Sequence, residues 1–348
     1  MIQLGIVEGF FGPQWPSESR KSYAQFLSRF GGGFYIYAPK QDAHLRKKWR
    51  SPWSDDYIHE LKSLVDHFQS HSVQFGIGFS PFGLGRELTS EDKSLLTEKL
   101  NIFNHLGINI LGLFFDDMPT NDNLAETQIE VLLSIKKIFK GHIIFCPSYY
   151  TPDPILDKVF GQRPDHYLEK IATGVPQDVA IAWTGPKVIS PELAMDHLIE
   201  TTELLKRRPF LWENLYANDG PRNCKFLKLR PFSGRTKNTL KHVEAFGLNM
   251  MNQPELSKIL YLSSKLVLDG EEPEEAFSHS LDILCSAGLK KFIELNKKNL
   301  LNLGLDSFKE EEKKILLNEL ATFPDFAAKE IIDWLNGQYV VGSECLTD

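Results

Sequence analysis

Asp116 and Asp117 stand side by side directly after the run Ile110-Leu111-Gly112-Leu113-Phe114-Phe115. So apolar a segment does not end in two carboxylates without a reason, because burying an unpartnered charge is costly. Two adjacent carboxyls in an apolar surround cannot both ionise easily. A protonated acid beside a charged base is the division of labour that glycosidases need. Ordinary retaining glycosidases place two carboxyls across the scissile bond, about 5 Å apart, on separate segments. Chain neighbours do not easily flank a bond in that way. They can serve a substrate that supplies its own nucleophile, such as a 2-acetamido group. One Asp then orients and polarises the acetamide N–H, and the other protonates the leaving oxygen. The competing reading is that Asp116-Asp117-Met118-Pro119 caps the next helix. From the sequence alone the two readings stand level.

The elements that would hold such a pair recur along the chain. Short runs rich in Ile, Val, Phe and Leu occupy residues 3–7, 33–37, 73–79, 108–115, 142–146, 179–183, 209–212 and 245–250. Each is bounded by Gly, Pro, Asn or Asp, the pattern of strands buried on both faces. Helical periodicity fills the intervals at 17–30, 55–71, 90–106, 128–139 and 191–206, with Thr89 a cap for the third. Eight strand-and-helix units over about 250 residues fit a (β/α)8 barrel better than an open sheet. The eighth strand has a competitor at 226–229. From residue 253 onward no strand-like run appears, and 254–268, 273–285, 287–300, 307–321 and 324–335 read as amphipathic helices. The expected architecture is a catalytic barrel at 1–252 and a small all-helical domain at 253–348.

In a barrel of this kind the chemistry lies where the strands end and their loops open into one mouth. The residues found there are Glu8-Gly9-Phe10-Phe11-Gly12, Ala38-Pro39-Lys40, Ser80-Pro81-Phe82-Gly83, Asp116-Asp117, Pro147-Ser148-Tyr149-Tyr150, Thr184-Gly185-Pro186-Lys187, Glu213-Asn214 with Asn218-Asp219, and Asn249. Carboxylates, amides, lysine and tyrosine in a ring donate and accept many hydrogen bonds, which suits a neutral sugar more than a phosphate or a metal. Each has a plainer use when taken singly. Tyr149 and Tyr150 would serve as rim aromatics and Lys40 as a solvated loop lysine. Asn214 and Asp219 would form turns, Asn249 would cap the following segment, and Gly9 would relieve a backbone angle. Together those uses would require every strand end to be polar by accident.

The matching stretches Gly5-Ile6-Val7-Glu8-Gly9-Phe10-Phe11-Gly12, Tyr37-Ala38-Pro39-Lys40, Leu113-Phe114-Phe115-Asp116-Asp117, Phe145-Cys146-Pro147, Trp183-Thr184-Gly185-Pro186-Lys187-Val188, Trp212-Glu213-Asn214 and Pro231-Phe232-Ser233-Gly234-Arg235 occur in order. In them the chain resembles glycoside hydrolase family 84, the protein O-GlcNAcase and bacterial β-N-acetylglucosaminidase family, over about residues 5–259. The resemblance implies a (β/α)8 barrel and retaining hydrolysis of terminal β-linked N-acetylglucosamine (GlcNAc) through an oxazoline intermediate, without metal or cofactor. It implies that Asp116 assists the acetamide and that Asp117 is the general acid, later the base. Gly9, Lys40, Asn214, Asp219 and Asn249 match residues that hold the sugar, Tyr150 matches a tyrosine near the acetamide, and Trp212 would line the pocket floor. The chain departs from the family pattern at Glu213, where Asp is usual, at Ser148-Tyr149 in place of Thr-Glu, and at Met250, where Pro usually follows the Asn.

Composition narrows the partners. The 348 residues are 42% hydrophobic and 24% charged with a net charge of −7, ordinary for a globular protein. After residue 252 fall 18 acidic residues and 10 lysines, a net of −8, which leaves +1 for residues 1–252. Neither part offers the basic stripe that nucleic acid needs. No run of 18 apolar residues suggests a membrane span. The start of the chain reads as a strand rather than a leader, and Cys146, Cys224, Cys285 and Cys345 form no CxxC, so a cytoplasmic protein is expected. The partner expected is a GlcNAc-containing glycoconjugate, its aglycone open between glycoprotein, glycan and cell-wall fragment. Three uses are open for the helical part: pairing two copies into a homodimer, shaping a peptide groove, or bracing the barrel. A metal-dependent barrel hydrolase or deacetylase would need histidines converging at the mouth. Only His44 lies just past a strand, and no HxH occurs. A catalytically inactive GlcNAc-binding module would have no need of the Asp pair.

Overall fold

In the computed structural model, which describes residues 3–84, 88–116, 118–342 and 344–347, eight parallel strands close into a barrel in chain order. They are β1 (Gln3–Glu8), β2 (Phe34–Tyr37), β3 (Gln74–Phe79), β4 (Ile110–Phe114), β5 (His142–Cys146), β6 (Ala180–Trp183), β7 (Phe210–Glu213) and β8 (Ala245–Asn249), with β8 pairing back onto β1. The eighth strand is the later candidate. The competing stretch 226–229 is loop, and its Leu227 N–H donates to the Leu300 carbonyl at 2.9 Å, away from the barrel.

Helices α1 (Ser17–Arg29), α2 (Asp55–Ser70), α3 (Ser90–Leu106) and α4 (Leu124–Lys136) follow the first four strands. Thr89 caps α3 as expected, its Oγ1 accepting from Asp92 N at 3.0 Å. After β5 come two short helices, α5 (Ile155–Phe160) and α6 (Tyr167–Gly174), and α7 (Met195–Leu205) follows β6. Helix α8 (Pro254–Asp269) follows β8 and packs on the barrel: Tyr23 Oη of α1 donates to the Pro254 carbonyl at 2.7 Å. It thus takes the place of the eighth barrel helix. On its other side it carries the helical region, α9 (Pro273–Leu284), α10 (Ala287–Lys298), α11 (Glu310–Leu320) and α12 (Phe326–Leu335). Glu330 of α12 accepts the Glu255 and Leu256 amides, both at 2.8 Å. It therefore caps the start of α8 and ties the two parts together.

The barrel interior is shaped to place one ring beneath the mouth. A Cβ on Gly112 would lie 2.2 Å from Phe114 Cζ, so Phe114 can turn inward only because β4 has a glycine there. Its ring meets Trp212 edge to face at 4.6 Å. Among the described residues no helix is long and apolar enough to cross a membrane.

Candidate active site

At the carboxyl ends of the strands lies a cavity of about 600 Å³, open to solvent. It is lined by Gly9, Lys40, Asp116, Tyr150, Trp212, Asn214, Asp219 and Asn249, so eight of the nine residues singled out from the sequence converge on one space. The ninth, Asp117, lies outside the described residues. Phe11, Cys146, Thr184, Val188 and Asn223 complete much of the wall; the first four fall within the strand-end motifs without a charged or amide group to single them out, and Asn223 lies outside those motifs.

Asp116 is buried just past β4, and Lys40 Nζ donates to its Oδ2. The capping alternative does not hold for Asp116, since α4 begins only at Leu124, after Asn123. The backbone beneath it is braced by a buried relay. Ser148 Oγ donates to the Phe115 carbonyl at 2.8 Å and accepts from Gln128 Nε2 at 2.8 Å. Tyr167 Oη donates to Gln128 Oε1 at 2.6 Å and accepts from Ser148 N at 3.0 Å. Burial holds the Tyr167 phenol well above its ordinary pKa, so it remains a donor. The unusual Ser148 thus supports the acid-bearing strand from behind.

Lys40 is delivered by the loop after β2. Its N–H bonds to the Phe10 carbonyl at 3.3 Å. Two residues on, Asp42 Oδ2 accepts the hydroxyls of Tyr37 and Tyr57, both at 2.8 Å, while its Oδ1 accepts His44 N at 3.0 Å. These bonds pin the loop between β2 and α2. Both phenols are pushed up in pKa by burial and then by Asp42. The His44 ring lies tilted against that of Tyr57, with centroids 4.7 Å apart. Among the described residues no group of three His, Cys, Asp or Glu side chains is placed to hold a metal ion.

On the opposite side, Asn249 Nδ2 donates to Asn214 Oδ1 at 2.9 Å, and Asn214 Nδ2 donates to the Val188 carbonyl at 3.0 Å. The Asn249 side-chain oxygen Oδ1 is buried with no hydrogen-bond partner among the described residues, an acceptor left for a ligand donor. Asp219 Oδ2 accepts Phe11 N at 2.9 Å. The turn that carries Asp219 is held by Asn218, whose Oδ1 accepts Asn252 N at 2.9 Å and whose Nδ2 donates to Gln253 Oε1 at 2.9 Å. Asn252 Nδ2 in turn reaches the Phe11 carbonyl at 3.0 Å. The loops after β1, β7 and β8 are therefore cross-linked into one rim. Gly9 permits the close approach of Trp212, since a Cβ there would lie 2.5 Å from Cζ2 of the indole.

Besides Ser148 and Asn218, the strand-end side chains of Glu8, Glu213 and Tyr149 do not line the cavity. Glu8 is buried against Arg20, which donates from Nε and Nη2 at 2.8 Å each, and against the Tyr35 hydroxyl. Glu213 pairs with Arg235, which donates from Nε to Oε2 at 2.7 Å and from Nη2 to Oε1 at 2.9 Å. The longer acid at 213 therefore acts on its loop rather than in the pocket. Tyr149 is buried, with its hydroxyl on the Gly161 carbonyl at 2.5 Å and its ring edge-on to Tyr167. Of the two tyrosines, only Tyr150 lines the cavity.

A family model described as beta-N-acetylglucosaminidase matches residues 4–288. The chain belongs to that family. As a β-N-acetylglucosaminidase family member it sits among glycoside hydrolases, in agreement with the resemblance seen in its motifs. It is 30% identical over 247 residues to Protein O-GlcNAcase of Rattus norvegicus and, equally, of Mus musculus. Those alignments cover 67% of this chain and 26% of each relative, so the chain spans about a quarter of their length. An O-GlcNAc hydrolase from Thermobaculum terrenum, solved as a point mutant, superposes with a TM-score of 0.81 at 26% identity, covering 97% of this chain and 81% of that one.

Proposed function

We propose that the chain is a retaining β-N-acetylglucosaminidase that removes terminal β-linked GlcNAc from glycosylated polypeptides with the substrate's own acetamide as nucleophile. The observation that carries the reading is Asp116, buried at the wall of the strand-end cavity and paired with Lys40, with a second Asp next to it in the chain. Its pairing with an ammonium suits Asp116 to the charged, orienting role. It would accept the acetamide N–H as the carbonyl oxygen attacks the anomeric carbon. The bond from that carbon to the leaving oxygen breaks, and Asp117 supplies the proton to the departing alcohol. Asp117 then takes a proton from water as the water opens the oxazoline, and two inversions give net retention. The amides of Asn214 and Asn249, with Asp219, would hold the sugar hydroxyls, and Tyr150 would lie by the acetamide.

A polypeptide aglycone is favoured because the relatives named above are a protein O-GlcNAcase and an O-GlcNAc hydrolase. Four cysteines without a CxxC motif suit a reducing, cytoplasmic setting for such a substrate. A release assay with O-GlcNAc peptides, muropeptides and an aryl N-acetylglucosaminide tests the reading. GlcNAc should appear from the aryl glycoside and the O-GlcNAc peptides. Activity on muropeptides alone would overturn the choice of aglycone, and no release from any would overturn the reading. A thiazoline analogue of the bicyclic intermediate should bind about 10²-fold or more tightly than GlcNAc.

A homodimer through the C-terminal helices remains part of the proposal. Leu295, Ile315 and Phe326 are large apolar side chains exposed on that region, which a second copy could cover. Sedimentation should give the mass of two chains; the mass of one chain would remove this part.

A further inference from the structure

The segment after α12 returns to the barrel mouth. Trp334 Nε1 donates to the Cys224 carbonyl at 3.0 Å, which sets the end of α12 beside the loop after β7. Val341, only 6% exposed, then packs with Phe11 and Cys224 in a small apolar cluster separate from the main core. Gln41 Nε2, next to Lys40 in the chain, donates to Glu344 Oε2 at 2.5 Å. Cys345 and Thr347 line the same cavity as Asp116, Asn214 and Asp219. Among its described residues the segment has turns but no helix or strand, and an open cleft of about 660 Å³ lies between it and the loops after β1 and β2.

We propose that Val341, Gly342 and residues 344–347 belong to a displaceable strap, seated in the groove that receives the polypeptide flank of a glycosylated substrate. The proposal rests on the glycosidase reading and deepens it. A terminal sugar held by strand-end residues must send its glycosidic oxygen outward, past side chains contributed by loops. Phe11, Asn223, Cys345 and Thr347 are such side chains. That space already accepts a stretch of this chain's own polypeptide through one apolar anchor, Val341, and one amide-to-carboxylate bond, Gln41 to Glu344. A second peptide can use the same features. Thr347 places a hydroxyl amino acid at the cavity wall, the residue type to which such a sugar is attached in a glycoprotein. The strap's anchor is slight, since its cluster contains three buried residues. A glycopeptide can therefore displace it, whereas a small aryl leaving group has less need to.

The test compares the full chain with two variants, a deletion of residues 341–348 and Val341→Asp. The ratio of kcat/KM on an O-GlcNAc peptide to kcat/KM on an aryl N-acetylglucosaminide should rise at least about fivefold in both. A ratio that stays the same or falls in both variants overturns the strap and leaves the glycosidase reading intact. If the full chain cleaves neither substrate, the glycosidase reading fails, and a second readout still decides the strap. Alkylation of Cys345 by iodoacetamide, followed by peptide mass, should be at least about tenfold faster in Val341→Asp than in the full chain with its melting temperature held. An unchanged alkylation rate overturns the proposal independently of any activity.

Discussion

Asp116→Asn should lower kcat by about 10²-fold or more even on an activated aryl N-acetylglucosaminide, the size of effect expected when a reacting group loses its alignment. The amide removes the charge that faces Lys40 and replaces an acceptor of the acetamide N–H with a group that can also donate. Leaving-group quality offers no relief, because the damaged step is formation of the ring by the substrate's own carbonyl. Asp117→Asn should behave differently. Loss of a general acid costs about 10²–10⁴-fold where the leaving oxygen needs a proton, so alkyl or seryl glycosides suffer the full loss. An activated phenol leaves as its anion and is largely spared in the first step. Steady-state kinetics of both variants on one good and one poor leaving group checks the pair of roles. Equal losses for Asp117→Asn on the two substrates would refute its part as acid, and a mild effect of Asp116→Asn would refute the orienting carboxylate.

Arg235→Ala should cost about 3–5 kcal/mol of folding stability, the usual result of leaving one partner of a buried ion pair alone. The Arg235 and Glu213 side chains are 0% and 1% exposed. The guanidinium also donates to the carbonyls of Pro191 at 2.7 Å, Ser190 at 2.5 Å and Ser233 at 3.2 Å. Removing it strands the Glu213 charge and three carbonyls together. The damage should extend to sugar binding. Glu213 Oε1 accepts Leu215 N at 3.0 Å, and Arg235 clamps the carbonyls of 190 and 191, two and three residues past Val188, whose own carbonyl receives the Asn214 amide. Glu213 and Arg235 therefore hold Asn214 from both sides. Denaturant unfolding measures the stability loss, and KM should rise in whatever fraction remains folded. A loss below about 1 kcal/mol would show that the pair does not carry this load.

The barrel was legible because parallel strands are covered on both faces and so read as short unbroken apolar runs. Their carboxyl ends were less so. β1 extends to Glu8 and β7 to Glu213, each one residue further than the apolar run, because Arg20 and Arg235 neutralise acids that look like solvent-facing residues in the sequence. Helix α7 begins at Met195 rather than near Pro191, since the carbonyls of 190 and 191 are taken by Arg235. Helices α5 and α6 span six and eight residues, lengths at which a short apolar pattern does not separate a helix from a strand. Residues whose chemistry faces the cavity were legible because acids, amides and a lysine are conspicuous at strand ends. The residues that aim them were not. Ser148, Gln128, Asn218 and Asn252 are ordinary polar residues with partners in other units of the barrel, which only the closed fold brings together, while Asp42 is held within its own strand–helix unit by tyrosines that read as core aromatics.

The most direct measurement concerns the nucleophile. Aryl N-acetylglucosaminides whose acetyl group carries increasing numbers of fluorine atoms present a progressively poorer carbonyl oxygen with the same leaving group. If that oxygen attacks the anomeric carbon while Asp116 holds the N–H, kcat/KM should fall steeply and monotonically along the series. A flat series would mean that the attacking atom belongs to the protein or to water, and would contradict the account.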